Sequence, residues 1–332
     1  KVTETVHLIN WHVAEKNDFA LAEEVTLKGV FERRPDIVLY LNGIAIGVLE
    51  LKNSRVNIGD GIRQNLSNQL AEFNEWFFST VQLVLAGNDS EGLRYGAIKT
   101  EEKYFLTWKE DEADARRLLL DKYLLKLCEK GRLIELLRDF VLFENGVKKL
   151  PRVHQYFGIK AAQEHVQQKR GGIIWHTQGA GKSILMVLLA RWILANNPHA
   201  RVAVVTDRDE LDGQIQRVFS EAGECIYRTS SGRDLMRQLG QASPRLLCSL
   251  VHKFGLGARG KKEHEFEAFI KELEAQPSPT LGDVFVFVDE CHRTQSGRLN
   301  RVMKAMMPNA VFIGFTGTPL MQQDKATSEE VF

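Results

Sequence analysis

Asp36, Glu50 and Lys52 place two carboxylates and an ammonium across two short apolar runs, 36–41 (DIVLYL) and 44–52 (IAIGVLELK). On a strand, residues two apart project from one face, so Glu50 and Lys52 share a face. The two carboxylates and the Leu51 carbonyl make a hard oxygen set suited to Mg²⁺. Lys52 is placed to lower the pKa of a water or to stabilise a pentavalent phosphate. Charges on so apolar a strand are costly unless paired or metal-bound. Asn42-Gly43 between the runs signals a tight hairpin. A two-residue turn pairs Leu41 with Ile44, which sets Asp36 opposite Leu49 and leaves Glu50 on the other face. A three-residue loop or a bulge shifts the register by one and brings Asp36 opposite Glu50. A shared metal site requires that shift.

A second constellation begins at Gly179-Ala180-Gly181-Lys182-Ser183, which ends one apolar run and opens a helical pattern. Small residues let backbone N–H groups wrap a phosphate, and the helix N-terminus adds positive potential. Lys182 then reaches the β- and γ-phosphates of ATP, and the Ser183 hydroxyl ligates Mg²⁺. The usual pattern has glycine at its first position, where this sequence has His176. Further on, four apolar residues (VFVF) precede Val288-Asp289-Glu290. That puts both carboxylates at the C-terminal end of a strand, where open α/β sheets place ligands. Asp289 is expected to hold Mg²⁺ and Glu290 to polarise the attacking water.

The elements that must position these groups differ between the two halves. In the first, runs 36–41, 44–52 and 81–86 read as strands and 65–78 as a helix with Leu66, Leu70, Phe73 and Phe77 on one face. From 110 to 141 the pattern is helical and charged, and 146–151 (GVKKLP) is the expected hinge. After it, strands at 172–176, 201–207, 246–251, 284–290 and 311–316 alternate with helices such as 183–194. Several of these strands are apolar throughout, as in strands buried on both faces. The expected fold class is therefore α/β, with a doubly wound parallel sheet in the second half. The chain of 332 residues and its 44% apolar content suit two packed domains. The net charge of +1 gives no global basic field, so any DNA contact must use locally arranged charges. Cysteines at 128, 225, 248 and 291 have no CxxC spacing, which argues against a zinc ribbon and fits reduced thiols in the cytoplasm. No apolar run is long enough to span a membrane.

Beyond these readings, the second half resembles superfamily 2 helicases and translocases. Arg152 and Gln155 look like the adenine-reading motif, and Thr206-Asp207-Arg208 with Asp212-Gly213-Gln214 like the motif that touches the DNA backbone. Asp289-Glu290-Cys291-His292 is similar to the DExH box, and Thr316-Gly317-Thr318-Pro319 to the motif coupling ATP state to DNA. The first half is similar to PD-(D/E)xK nucleases at Pro35-Asp36 and Glu50-Leu51-Lys52. Gln69 looks like the glutamine of RecB-type nucleases, with Phe73 where tyrosine is usual. Asn17-Asp18-Phe19, the run 33–38 (RRPDIV), Asn42-Gly43 and 174–179 (IWHTQG) resemble the R subunit of type I restriction enzymes over nearly the whole chain.

That resemblance implies a restriction-endonuclease-like α/β domain over 1–146 followed by a RecA-like domain over 147–332. It implies ATP and Mg²⁺ as cofactors, double-stranded DNA as the substrate that is pumped and cut, and modification and specificity subunits as partners. The chain opens on Lys1 rather than Met and stops soon after Thr318-Pro319. A second RecA-like domain is thus expected to lie outside it, with poor ATP turnover as the consequence. A type III or single-chain restriction enzyme, a helicase–nuclease, and a non-catalytic DNA-binding assembly subunit are the other readings these motifs allow.

Overall fold

The computed structural model describes residues 6–110, 116–144, 146–177, 179–206, 215–220, 223–250, 271, 280–289 and 297–317. The chain divides into two compact units, Lys1–Tyr156 and Phe157–Phe332.

The first unit is built on a six-stranded sheet. Its strands are β1 (Phe19–Glu23), β2 (Ile37–Leu41), β3 (Ile44–Leu51), β4 (Leu83–Asn88), β5 (Gly92–Gly96) and β6 (Leu106–Trp108), and their spatial order follows the sequence. Neighbours run antiparallel except β3 and β4, which are parallel. A parallel pair needs a crossover connection. Helix α1 (Ile58–Asn68) lies within it and packs on both strands. The Asn57 side chain starts this helix by accepting the Gly59 N–H at 2.7 Å, the usual service of an N-cap. The helix therefore begins earlier than the apolar spacing at 66, 70, 73 and 77 suggests, and it ends at Asn68. The rest of the expected helix is a series of turns closing in a 3-10 turn, Phe77–Ser79.

Val48, Ile58, Ile62, Phe78, Val81, Val84, Ala86 and Phe105 form the core between α1 and the sheet. Helix α2 (Leu119–Leu127) packs on β4 and β5 and is followed by α3 (Lys130–Glu135). Residues 146–151, expected as a hinge, mostly pair back instead. Strands β7 (Leu142–Glu144) and β8 (Val147–Lys149) form a hairpin. Lys148 is buried there, its Nζ donating to Val81 O at 3.3 Å and Gln82 Oε1 at 2.7 Å.

Helix α4 (Val153–Gln167) runs across the division between the units. Then come β9 (Gly172–Trp175), α5 (Lys182–Asn196), β10 (Ala200–Thr206), β11 (Tyr227–Arg228), α6 (Gly232–Leu239), β12 (Leu246–Leu250), β13 (Asp283–Asp289), α7 (Gly297–Met306) and β14 (Val311–Thr316). The strands make one sheet in the order β11-β12-β10-β13-β14-β9, and every pair is parallel. All residues of β10 and β12 are buried, which explains their continuous apolar sequences. The α/β class with a parallel second sheet is as expected, and the five strands read from sequence are all present. Asp207, Val251 and Glu290, the last residues of three of the expected runs, lie outside the described residues.

Candidate functional site

The hairpin β2–β3 decides the geometry of the first candidate site. Asn42 and Gly43 have φ of 51° and 79°. Both are in the left-handed region that the tight hairpin turn demands. Leu41 pairs with Ile44, as a two-residue turn requires. The register then shifts: Tyr40 pairs with Ala45, but Leu39 pairs with Gly47 and Ile37 with Leu49. Ile46 is the extra residue of a β-bulge, and its carbonyl is satisfied by the Gln82 N–H at 2.8 Å. The sheet thus has both the tight turn and the one-residue shift. Asp36, just before β2, falls opposite Glu50.

The side chains follow from that register. Asp36 Oδ2 accepts the Leu51 N–H at 2.7 Å. Glu50 is completely buried, with the Asp36 charge acting on it. Its Oε1 accepts from Asn68 Nδ2 at 3.3 Å, and its Oε2 is buried without a partner. Burial, and next the Asp36 charge, push the Glu50 carboxyl up to about 8, with Lys52 opposing them. Lys52 Nζ is held at 2.8 Å by Gln64 Oε1. Two carboxylates, a lysine two residues on, and an orphaned buried oxygen therefore meet on the α1 side of β3. Among the described residues, no set of three or more His, Cys, Asp or Glu converges as a metal centre. The oxygen set here is two carboxylates and a neighbouring main-chain carbonyl.

Sequence reading missed Gln64 and Asn68. The signal was a run of amides, Gln64, Asn65, Asn68 and Gln69, on a helix expected to turn an apolar face inward. Gln69 itself makes its described hydrogen bonds with main-chain groups: Nε2 donates to Asn65 O at 3.2 Å, and Oε1 accepts the Lys99 N–H at 2.7 Å. It anchors the end of α1, and Asn68 is the residue that touches Glu50. Asn17 and Asn42 are structural partners. Asn42 Nδ2 donates to Asn17 Oδ1 at 2.9 Å and to Leu8 O at 2.8 Å, clamping the turn from outside.

The second site lies along the C-terminal ends of the parallel strands. β9 leads into the loop 176–181, where Gly179 and Gly181 have φ of 80° and 82°. Gly181 is the N-cap of α5, so Lys182 and Ser183 open that helix, both half-buried. Helix α5 is apolar all round and buried from Leu185 to Ala190 and at Ile193, which fixes the loop at its start. The His176 N–H donates to Thr316 O at 3.1 Å, tying the loop to β14. Asp289 ends β13, buried, and pairs across to Phe315 of β14. One strand therefore separates the phosphate loop from the carboxylate. Thr206, at the end of β10, is buried with an unpartnered hydroxyl. Arg152 and Gln155 lie at the start of α4, where Gln155 Oε1 accepts the Arg152 N–H at 2.8 Å and caps the helix. Glu290, Arg208, Asp212, Gln214, His292, Thr318 and Pro319 lie outside the described residues.

Comparison with known families decides what this parallel sheet belongs to. The family described as SWI2/SNF2 ATPase matches residues 154–332, more than half of the chain. The chain belongs to the SWI2/SNF2 ATPase family. In this SWI2/SNF2 ATPase the motor sequence follows a region, residues 1–103, that matches the type I restriction enzyme R protein N terminus. Curated relatives agree across both units. The type I restriction enzyme HindI endonuclease subunit of Haemophilus influenzae is 29% identical over 369 residues, covering 98% of this chain and 34% of the relative. The putative type I restriction enzyme MjaIXP endonuclease subunit of Methanocaldococcus jannaschii is 27% identical over 371 residues, with the same coverage of 98% and 34%. The chain thus spans about a third of the length of these relatives. Among solved structures, the Sulfolobus solfataricus SWI2/SNF2 ATPase core in complex with dsDNA superposes with a TM-score of 0.40 at 13% identity, over 58% of this chain and 36% of that one. The UvsW helicase of bacteriophage T4 gives 0.41 at 14% identity, over 75% of this chain and 96% of that one. No described helix is long and apolar enough to cross a membrane.

Proposed function

We propose that this chain is the front part of the R subunit of a type I restriction enzyme, with a nuclease domain over 1–146 ahead of a motor domain over 147–332. It would couple ATP-dependent translocation of double-stranded DNA to Mg²⁺-dependent cleavage, in a cytoplasmic complex with modification and specificity subunits. The observation that carries the reading is the Ile46 bulge, which sets Asp36 and Glu50 opposite one another on a buried strand. An acid pair in that setting is costly unless a proton or cation sits between the carboxylates. Burial and the Asp36 charge raise the Glu50 pKa for the same reason. Asp36, Glu50 and the Leu51 carbonyl fit Mg²⁺, since Glu50 Oε2 has no other partner. When bound, Mg²⁺ supplies a water of lowered pKa and charge relief at the phosphate. Lys52, fixed by Gln64, stabilises charge on the phosphate, and Gln69 holds the helix end that presents Asn68.

In the motor, Gly179, Ala180, Gly181 and Lys182 cradle the phosphates of ATP. Ser183 and Asp289 hold its Mg²⁺, Glu290 orients the water, and Arg152 and Gln155 read the adenine. The test is a calorimetric Mg²⁺ titration beside a cleavage assay in the assembled enzyme. Asp36→Ala and Glu50→Ala are expected to lose both the ion and the cut, and Lys52→Ala the cut alone. Cleavage by Glu50→Ala overturns the nuclease assignment.

A further inference from the structure

The loop joining β1 to β2 has no part in the reading above. Its sequence over 24–35 is EVTLKGVFERRP. Leu27 and Arg33 form an isolated antiparallel bridge, with the Leu27 N–H donating to Arg33 O at 2.8 Å and the Arg33 N–H returning to Leu27 O at 3.1 Å. Residues 28–32 form the tip. There Val30 is 77% and Phe31 57% exposed, with Lys28 exposed beside them.

The tip is braced. Gly29 sits so close to the turn after α1 that a Cβ on it would lie 2.3 Å from Phe73 O. The Phe31 ring packs 5.7 Å from the Phe73 ring. The Arg33 guanidinium lies 3.9 Å from the same ring, a cation–π contact. An apolar pair presented on a preorganised support loses little conformational freedom on binding. The charge of the loop selects the partner. Lys28, Arg33 and Arg34 outnumber Glu24 and Glu32, and the Arg34–Glu24 ion pair is exposed on both sides and contributes little. Arg34 and Pro35 then lead directly into Asp36.

We propose that this tip is a DNA wedge: Val30 and Phe31 enter the minor groove of the duplex beside the scissile phosphate, while Lys28 and Arg34 hold the flanking backbone. Proteins that insert apolar side chains between base steps unstack and kink the duplex without needing a particular sequence. Such a kink exposes the backbone at the step to be cut. The idea rests on the reading of Asp36, Glu50 and Lys52 as the cutting site, and its test is independent of cleavage.

The 332-residue chain, without Mg²⁺, is bound to a duplex carrying a fluorescent adenine analogue that brightens when unstacked, across a range of salt. The wild-type chain is expected to brighten the analogue. The double variant Val30→Ser, Phe31→Ser is expected to abolish the brightening and weaken binding roughly tenfold, the effect of losing one stacking contact. Its salt dependence should be unchanged, because no phosphate contact is lost. Lys28→Ala should instead lower the salt slope by about one and leave the brightening in place. Neither readout requires cleavage or a bound metal, so failure of the cutting assignment is told apart from failure of the wedge. Where the double variant does not fold, Val30→Ser alone gives the same readouts at an exposed position. A wild-type chain that never brightens the analogue, or a wedge variant that binds and brightens like wild type, overturns the proposal; the latter result would give the tip to a protein contact instead.

Discussion

The two sheets of this chain solve the problem of holding charge in opposite ways. In the first unit the acid pair lies where β3 ends and β2 begins, with Glu50 the last of the buried residues 45–50 of β3. In the second unit the strands are apolar along most of their length, and Thr206, Asp289 and Thr316 sit only at the C-terminal ends. The parallel sheet gathers these polar residues at one edge because every strand ends there, where open α/β sheets place ligands and helix N-termini supply positive potential. The mixed sheet has no such edge. It needs a bulge to align Asp36 with Glu50, and the folded state bears the cost of a buried carboxyl. A single carboxylate at a strand end adds little to the difficulty of folding, whereas a buried acid pair is built against the stability of its own unit.

The largest effect that can break this comparison is a one-residue slip between Asp36 and Glu50. Deleting Ile46 removes only the unpaired residue and should keep Asp36 opposite Glu50, whereas deleting Val38 from β2 should set Asp36 opposite Leu49 and turn Glu50 away, abolishing Mg²⁺ binding at the pair. Cleavage should fall by on the order of 10²–10³, as when a transition-state-stabilising group is removed. Nucleotide binding in the second unit should persist. A Val38 deletion variant that unfolds cooperatively and still binds Mg²⁺ at this pair would show that register does not build the site. The converse substitution is Lys182→Ala. It should eliminate ATP binding, measured by calorimetry, and leave the Mg²⁺ titration of the first unit intact.

How much of this was readable beforehand differs between the units for the same physical reason. The parallel sheet announced itself because strands buried on both faces are continuously apolar, and the loop 176–183 has a composition that few other structures need. In the first unit, Asp36, Glu50 and Lys52 were identifiable by type and spacing, and the register was reduced to two alternatives. The choice between them depends on where Ile46 sits against Leu39 and Tyr40, and nothing local in IAIG fixes that. Ile46 is held by the Gln82 N–H, far along the chain. Helix α1 was misplaced because Leu66, Leu70, Phe73 and Phe77 keep helical spacing, while the cap that starts the helix is Asn57. The partners of Glu50 and Lys52 went unseen for the same reason, since Gln64 and Asn68 gain meaning only once α1 is docked on β3.

The pH dependence of stability sharpens the comparison at intermediate size. The Glu50 carboxyl is raised from 4.5 to about 8 in the folded protein. Between these values the folded state holds a proton that the unfolded chain has released. Stability on this account is fully present below pH 4.5 and is lost as pH rises through about 8. The upper limit is about 1.4 kcal/mol for each pH unit crossed. Urea denaturation of the metal-free chain should show the first unit weakening from pH 5 to pH 8. Glu50→Gln should flatten that slope and leave the variant more stable than wild type at pH 8. Added Mg²⁺ should restore the wild type but not the variant. A metal-free wild type as stable at pH 8 as at pH 5 would contradict the burial argument.

The smallest effect concerns unpartnered hydroxyls in the second unit. Thr206 Oγ1 and Ser249 Oγ are both buried and, among the described residues, have no hydrogen-bond partner. They lie on adjacent parallel strands, where Val205 pairs with Ser249 and Thr206 with Leu250. Yet they differ in position. Thr206 is the last residue of β10, at the edge that carries the phosphate loop and Asp289, whereas Ser249 lies within β12. A buried hydroxyl without a partner costs about 1–3 kcal/mol, so replacing it by an apolar group of similar shape should be neutral or stabilising. Thr206→Val and Ser249→Ala should both raise the midpoint of the second unit by a few degrees, following roughly 1 kcal/mol of added stability. Function should separate them. If orphaned polar atoms at the strand ends are kept for ligands, Thr206→Val should weaken DNA-stimulated ATP hydrolysis in the assembled enzyme, and Ser249→Ala should leave it unchanged. Equal hydrolysis by both variants would mean that the strand-end hydroxyl is no more functional than the one inside the sheet, and the contrast between edge and interior would then rest on Asp289 and Lys182 alone.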